Sequence, residues 1–277
     1  MSRSEELKRF ESEGWNARAD TYGDLTGRVT VLVADALLDA ASVDAGDRVL
    51  DVACGGGQVA GRAAARGASP AGVDLAEAMV EQARRDHPGI AFEVADAEAL
   101  PAADGAFEAA VGGFILNHLP HPERCAAECA RVVGPGGGVA FSVWDHPERA
   151  RLIALVGEAV ERAGGDRSAG VPDGPDDFRF ADPSEMRSLL RGAGPERIEV
   201  RSHELSIEVP GTDALWDGLM GGLARAPATV EAHGESMRAR VREAFTEIAA
   251  GFRRPGGGRE VLDVPVMVIL GSGRVPG

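Results

Sequence analysis

The sequence predicts an α/β protein: a twisted, mainly parallel sheet with helices on both faces and a helical cap. Three observations carry that expectation. Between residues 44 and 145, short apolar runs alternate with amphipathic stretches, and each parallel crossover needs a covering helix. One apolar run ends in clustered glycines directly before a helical stretch, VLDVACGGGQVAGRAA (49–64). The 277 residues suffice for one large domain, and no internal repeat divides them.

The elements follow in order. Residues 2–20 read as a charged amphipathic helix with Phe10 and Trp15 on its apolar side, and 27–42 as a second helix. Asp44-Ala45-Gly46-Asp47 is a turn. RVLDVA (48–53) is a buried strand, then a glycine turn and a helix to about Arg66. SPAGVDL (69–75), AFEVADA (91–97) and FEAAVGGFIL (107–116) are strands two to four, with EAMVEQARRD a helix between the first two of them. A helix over Pro122–Val133, a turn over Gly134–Gly138 and a strand VAFSVW (139–144) complete the parallel part. Beyond it come a helix over 147–165 and a polar loop over 164–177. DPSEMRSLLRGAG (182–194) is a helix with an acidic start and a glycine stop. Residues 198–209 form a strand, 212–252 are largely helical, and 261–273 are a last strand. That last strand should enter antiparallel between the fifth and sixth. We expect a single domain (1–277) with a helical lid over 1–43 and a core over 44–145. Cap insertions occupy 146–180 and 211–258, and 181–210 with 259–277 complete the sheet.

Composition narrows the function. The net charge is −15 and the pI about 4.9, so phosphate backbones and anionic lipid are repelled and nucleic-acid and membrane partners are not expected. The polar N-terminus is no signal peptide, and no apolar run reaches the ~18 residues of a membrane span. A cytoplasmic protein is expected, with a homodimer as the assembly considered. Cys54, Cys125 and Cys129 form no CxxC pair, and no nearby histidine completes a metal set; no metal is expected. HExxH, GxxxxGK and GxSxG are all absent. Lys8 is the only lysine and Tyr22 the only tyrosine, 14 residues apart, which removes the Tyr-x-x-x-Lys pair of short-chain dehydrogenases.

A strand ending in glycines before a helix lets backbone N–H groups approach a ligand, with the helix dipole favouring negative charge. Asp51 lies within the strand end, where a buried carboxylate needs donors from a ligand ammonium or from the next turn. Asp74 ends the second strand, placed to accept ribose hydroxyls, and Asp96 ends the third, placed for an adenine amino group. Each acid could instead cap a helix, yet three at successive carboxyl ends mark where ligands of open α/β sheets bind.

Here the sequence resembles the class I S-adenosylmethionine-dependent methyltransferases. Asp51-x-Ala53-x-Gly55-x-Gly57 matches the family's first motif D-x-G-x-G-x-G, with alanine for the first glycine. GVDLAEAMVEQAR matches the second, VADAEALP the third, and Glu108 after Phe107 the opening acid of the fourth. The likeness is close over residues 15–145 and looser around DPSEMRSLLRGAG. It is nearest to the small-molecule branch that includes ubiquinone/menaquinone and natural-product enzymes, where a W-x-x-x-A-x-x-Y segment overlies the cofactor, as Trp15, Ala19 and Tyr22 would. The resemblance implies a Rossmann-like seven-stranded sheet and S-adenosyl-L-methionine as cofactor. It places the cofactor against Tyr22, Asp51, Ala53, Cys54, Gly55, Gly57, Gln58, Asp74, Leu75 and Met79, and against Asp96, Ala97, Glu98, Gly113 and Phe114.

Methyl transfer needs alignment, a dry pocket and, for a hydroxyl acceptor, a base. His118 follows the fourth strand at the sheet's cofactor-facing edge and is the expected base, with Asp145 after the fifth strand as its partner. Trp15, Asn117, Trp144, Phe178, Trp216 and Met220 should shape an acceptor pocket, with Phe180 and Leu219 adding apolar surface. The expected reaction is methylation of a small, partly hydrophobic metabolite, with a secondary-metabolite tailoring step suggested by the GC-rich, bacterial-type composition. The rivals are a cofactor-binding fold without transfer and an NAD(P)-dependent oxidoreductase.

Overall fold

The computed structural model describes residues 1–254 and 260–277. The expected cap (211–258) and final segment (259–277) therefore run partly through residues outside the described ones. Seven strands form one sheet: β1 (Arg48–Val52), β2 (Ser69–Asp74), β3 (Ala91–Val94), β4 (Phe107–Gly113), β5 (Val133–Trp144), β6 (Glu196–Val209) and β7 (Leu262–Arg274). Their order is β3-β2-β1-β4-β5-β7-β6. β1 to β5 pair in parallel, and β7 runs antiparallel between β5 and β6 as the sequence suggested.

Ten α-helices are described: α1 (Arg3–Asn16), α2 (Thr26–Ala40), α3 (Gln58–Ala65), α4 (Glu77–Asp86), α5 (Pro122–Val132), α6 (Arg151–Arg162), α7 (Pro183–Ala193), α8 (Gly211–Gly222), α9 (Arg225–Glu231) and α10 (Glu235–Ala249). They cover both faces, so the central strands bury alternate residues in two separate cores. Along β4, Ala109 and Val111 join Leu37, Leu38 and Leu155 on one side. Ala110 joins Leu50, Phe141, Cys129 and Leu190 on the other.

Three boundaries differ from the sequence reading. Gly134–Gly138 lie inside β5, because Gly136 N–H donates to the Val275 carbonyl and Val275 N–H to that of Gly137; the pairing supplies bonds that a glycine-rich stretch would otherwise leave to a turn. The register with β4 slips there, between Phe107 and Ala109. α6 begins at Arg151 rather than 147, since residues 146–150 are held in a turn by Arg149 and Ala150 N–H bonds to the His146 carbonyl. α1 ends at Asn16, and a short 3₁₀ turn over Tyr22–Asp24 leads into α2.

The end of α2 approaches β5 closely at Gly138. A Cβ placed on Gly138 would lie 1.9 Å from the Ala41 carbonyl oxygen, so the chain itself must shift to admit it. Gly138→Ala is expected to cost about 2 kcal/mol or more, a fall in Tm of roughly 4–8 °C. A thermal melt matching the native protein would show that the end of α2 yields freely.

Candidate active site

The turn after β1 carries left-handed residues at Ala53 (φ 57°), Gly55 (φ 53°) and Gly57 (φ 81°). Ala53 therefore occupies the first glycine position of the motif in a conformation that L-residues avoid. Gly57 caps α3 from outside the helix, and a Cβ there would meet His87 at 2.8 Å and Phe92 at 2.9 Å. Behind the turn, the buried Asp51 carboxylate accepts the Ala60 N–H of α3 at 2.9 Å. The backbone amide foreseen as a donor for Asp51 is thus in place. Burial pushes this carboxyl up to about 7.

Asp74 joins two turns. Its carboxylate accepts Gly55 N–H and Ala76 N–H, each at 2.9 Å, and burial raises its pKa despite those bonds. At the end of β3, Asp96 accepts Glu98 N–H at 2.9 Å and the Lys8 ammonium at 2.6 Å. Lys8 also reaches Glu98 at 2.7 Å. Burial works against the lysine charge, but the two carboxylates hold its pKa above the ordinary value. The lone lysine thus ties α1 to the sheet.

A cavity of about 570 Å³ opens at the carboxyl ends of the parallel strands. Ala53, Gly55, Asp74, Leu75 and Met79 line one end, with Asp96, Ala97 and Gly113. Tyr22 lies over Gly55, and its hydroxyl bonds Thr30 at 2.9 Å. Burial pushes that phenol up to about 12, which removes it as a base. The cavity continues past Phe114, stacked on Trp144 at 4.2 Å, to His118, Trp15 and Phe178. Its far wall comes from α6, the loop over 167–178 and the start of α9.

Several expected wall residues lie elsewhere. Asp51, Cys54, Gly57 and Gln58 form the back of the glycine turn, and Glu98 sits behind Asp96, bonded to Lys8 and to the His121 N–H. Asn117 is buried outside the wall, its side-chain amide without a partner among the described residues. Trp216 packs edge-on to Phe245, and Met220 packs against the same core as Leu219; Phe180 is buried in the opposite core. Glu108 pairs with Arg48 on the surface.

The expected partnership of His118 with Asp145 does not form. Asp145 is held by Arg149 at 2.8 Å, by its own neighbour His146 N–H and by Ser202. His118 Nδ1 instead meets Glu11 Oε2 of α1 at 3.0 Å. Glu11 also accepts Trp15 Nε1–H at 3.1 Å and the Arg225 guanidinium at 2.8 Å. Arg225 extends the network to Asp177 at 2.7 Å and to the Asn117 carbonyl. The sequence reading missed Glu11 and Arg225; the only signal was an acid at the i+4 position between Leu7 and Trp15 on an inward helix face. No grouping of His, Cys, Asp and Glu among the described residues could hold a metal ion, and no described helix is long and apolar enough to cross a membrane.

An open α/β sheet with a glycine turn after β1 and acids after β2 and β3 defines a nucleoside-cofactor enzyme. A methyltransferase domain family matches residues 50–141. The ubiquinone biosynthesis O-methyltransferase of Thiobacillus denitrificans is 36% identical over 163 residues, 56% of this chain and 67% of that protein. The Burkholderia thailandensis protein of the same name is 35% identical over the same shares. Among solved structures, a Bacillus halodurans protein superposes with a TM-score of 0.56 at 21% identity, covering 88% of this chain and 99% of its own. The [4+2]-cyclase SpnF superposes with a TM-score of 0.51 at 21% identity, covering 90% and 83%, so the fold alone does not dictate the reaction. The chain belongs to the class I S-adenosylmethionine-dependent methyltransferases, an enzyme family whose methyl donor is S-adenosylmethionine.

Proposed function

We propose that the enzyme methylates a hydroxyl of a small, partly hydrophobic metabolite, as a tailoring step of bacterial secondary metabolism in the cytoplasm. The observation that carries this is the continuity of the cavity, from Asp74 and Gly55 at one end to His118, Trp144 and Phe178 at the other. Residues 1–43 act as its lid, 44–145 as the cofactor core and the helical insertions as its cap. The relatives are named as O-methyltransferases, which supports oxygen as the receiving atom.

The cavity's chemistry suits the donor. Asp74 offers a half-buried carboxylate to ribose hydroxyls, Asp96 and Ala97 an edge for adenine, and Gly55 a wall without a side chain. S-adenosylmethionine supplies, when bound, an electrophilic methyl group on a cationic sulfonium. The chain's own part is to align the acceptor, exclude water under α1 and α6, and accept a proton at His118. His118 Nδ1 is engaged by Glu11, while Nε2 has no partner among the described residues, leaving it as the acceptor nitrogen.

Asp74→Ala is expected to weaken S-adenosylhomocysteine binding by about 1.5–3 kcal/mol, roughly 10- to 150-fold, in calorimetric titration, with a thermal melt as the check on folding. Unchanged affinity would remove Asp74 from the site. Labelled donor offered with small hydroxylated aromatics, whole protein and RNA tests the acceptor class. Transfer only to protein or RNA would overturn the small-molecule reading.

A further inference from the structure

We infer that Glu11, carried on the lid helix α1, is the positioning residue that orients His118, so that the base is assembled when α1 docks on the sheet. The inference rests on the proposed role of His118 and deepens it. Leu7, Glu11 and Trp15 lie along one face of α1, and Leu7 and Glu11 are buried. One helical turn before Glu11, Lys8 fastens the same helix to Asp96 and Glu98. One rigid element therefore spans both ends of the cavity, holding the acid after β3 with one side chain and the imidazole after β4 with another.

The Glu11 carboxylate is only 5% exposed, accepts from Trp15 and Arg225, and stands 3.0 Å from His118 Nδ1. Burial alone would raise its pKa, yet the neighbouring His118 and Arg225 hold it below the usual range. An ionised carboxylate has no proton to give, so the bond to His118 requires the proton on Nδ1. That fixes the tautomer with a bare Nε2, the form needed to take a hydroxyl proton. Trp15 adds a steric constraint, its ring edge-on to the imidazole with centroids 5.4 Å apart. The charges facing this pair are Arg225 from α9, balanced by Asp177, and Asp74 from the end of β2.

Histidine-labelled ¹⁵N spectroscopy of the full chain decides the matter, with His118→Gln assigning the resonance. The expected native spectrum shows neutral His118 protonated on Nδ1. In Glu11→Leu, which removes the acceptor, that signature should be lost in favour of the Nε2–H form, while S-adenosylhomocysteine affinity stays unchanged. A native ring protonated on Nε2 would overturn the inference, and so would a variant retaining the native tautomer. Joint loss of tautomer and cofactor affinity would mark Glu11 as a structural clamp, which also overturns it. Should the leucine variant fail to fold, the native spectrum still decides. The spectrum needs no turnover, so its outcome is separable from a failure to find an acceptor.

Discussion

Replacing His118 by alanine is expected to lower maximal turnover about 10²–10⁴-fold, with cofactor affinity nearly intact. The ring sits in the cavity between the cofactor end and the aromatic end, 18% exposed at its side chain. A general base must reach the proton it removes, and only Nε2 is left for that purpose. The loss should fall on kcat rather than on donor binding, because Asp74 and Asp96, the acids proposed to hold the donor, stand at the ends of β2 and β3 and not of β4. Single-turnover rates at saturating acceptor, set beside calorimetric affinity for S-adenosylhomocysteine, measure it. A fall below tenfold would mean that catalysis is mainly alignment and that the imidazole only positions the acceptor.

The contrast between what the sequence disclosed at this site and what it withheld is physical. Asp74 and Asp96 were legible because each follows its strand by a fixed local rule, and strand ends in a parallel sheet converge on one edge. The β7 insertion was legible from a strand pair separated by a long helical segment. Glu11 was not legible: its partners stand 107 and 214 residues away, and on a helical wheel it is one more charge on a charged helix. Asp145 misled for the opposite reason. It ends a central strand in the right place, but Arg149, one helical turn on, is already paired with it. Trp216 and Met220 show a further limit, since an apolar side chain in a cap has the same composition whether it lines a cavity or fills a core. The Gly134–Gly138 stretch has the composition of a turn, and only pairing with the residues around Val275 makes it a strand.

Asp51 predicts an unusual pH dependence of stability. Its carboxyl is fully buried, receives one backbone N–H, and titrates at about 7 in the folded chain against an ordinary value of 3.8. Below pH 3.8 both folded and unfolded chains keep the proton, and this group adds no penalty. Between about pH 4 and pH 7 the unfolded chain has released the proton while the folded one holds it, so stability falls as pH rises. Above pH 7 the penalty is complete, on the order of 4 kcal/mol for a shift of about three units. Asp51→Asn removes the titrating group while keeping an oxygen for the Ala60 N–H. The variant should therefore melt higher than the native enzyme at pH 8, with the difference shrinking toward pH 4. Since Asp51 lies behind the glycine turn rather than in the cavity wall, the same variant should retain most of its affinity for S-adenosylhomocysteine. Parallel melting curves that keep a constant offset from pH 4 to pH 8 would show that Asp51 is ionised in the folded chain and draws on a donor besides Ala60.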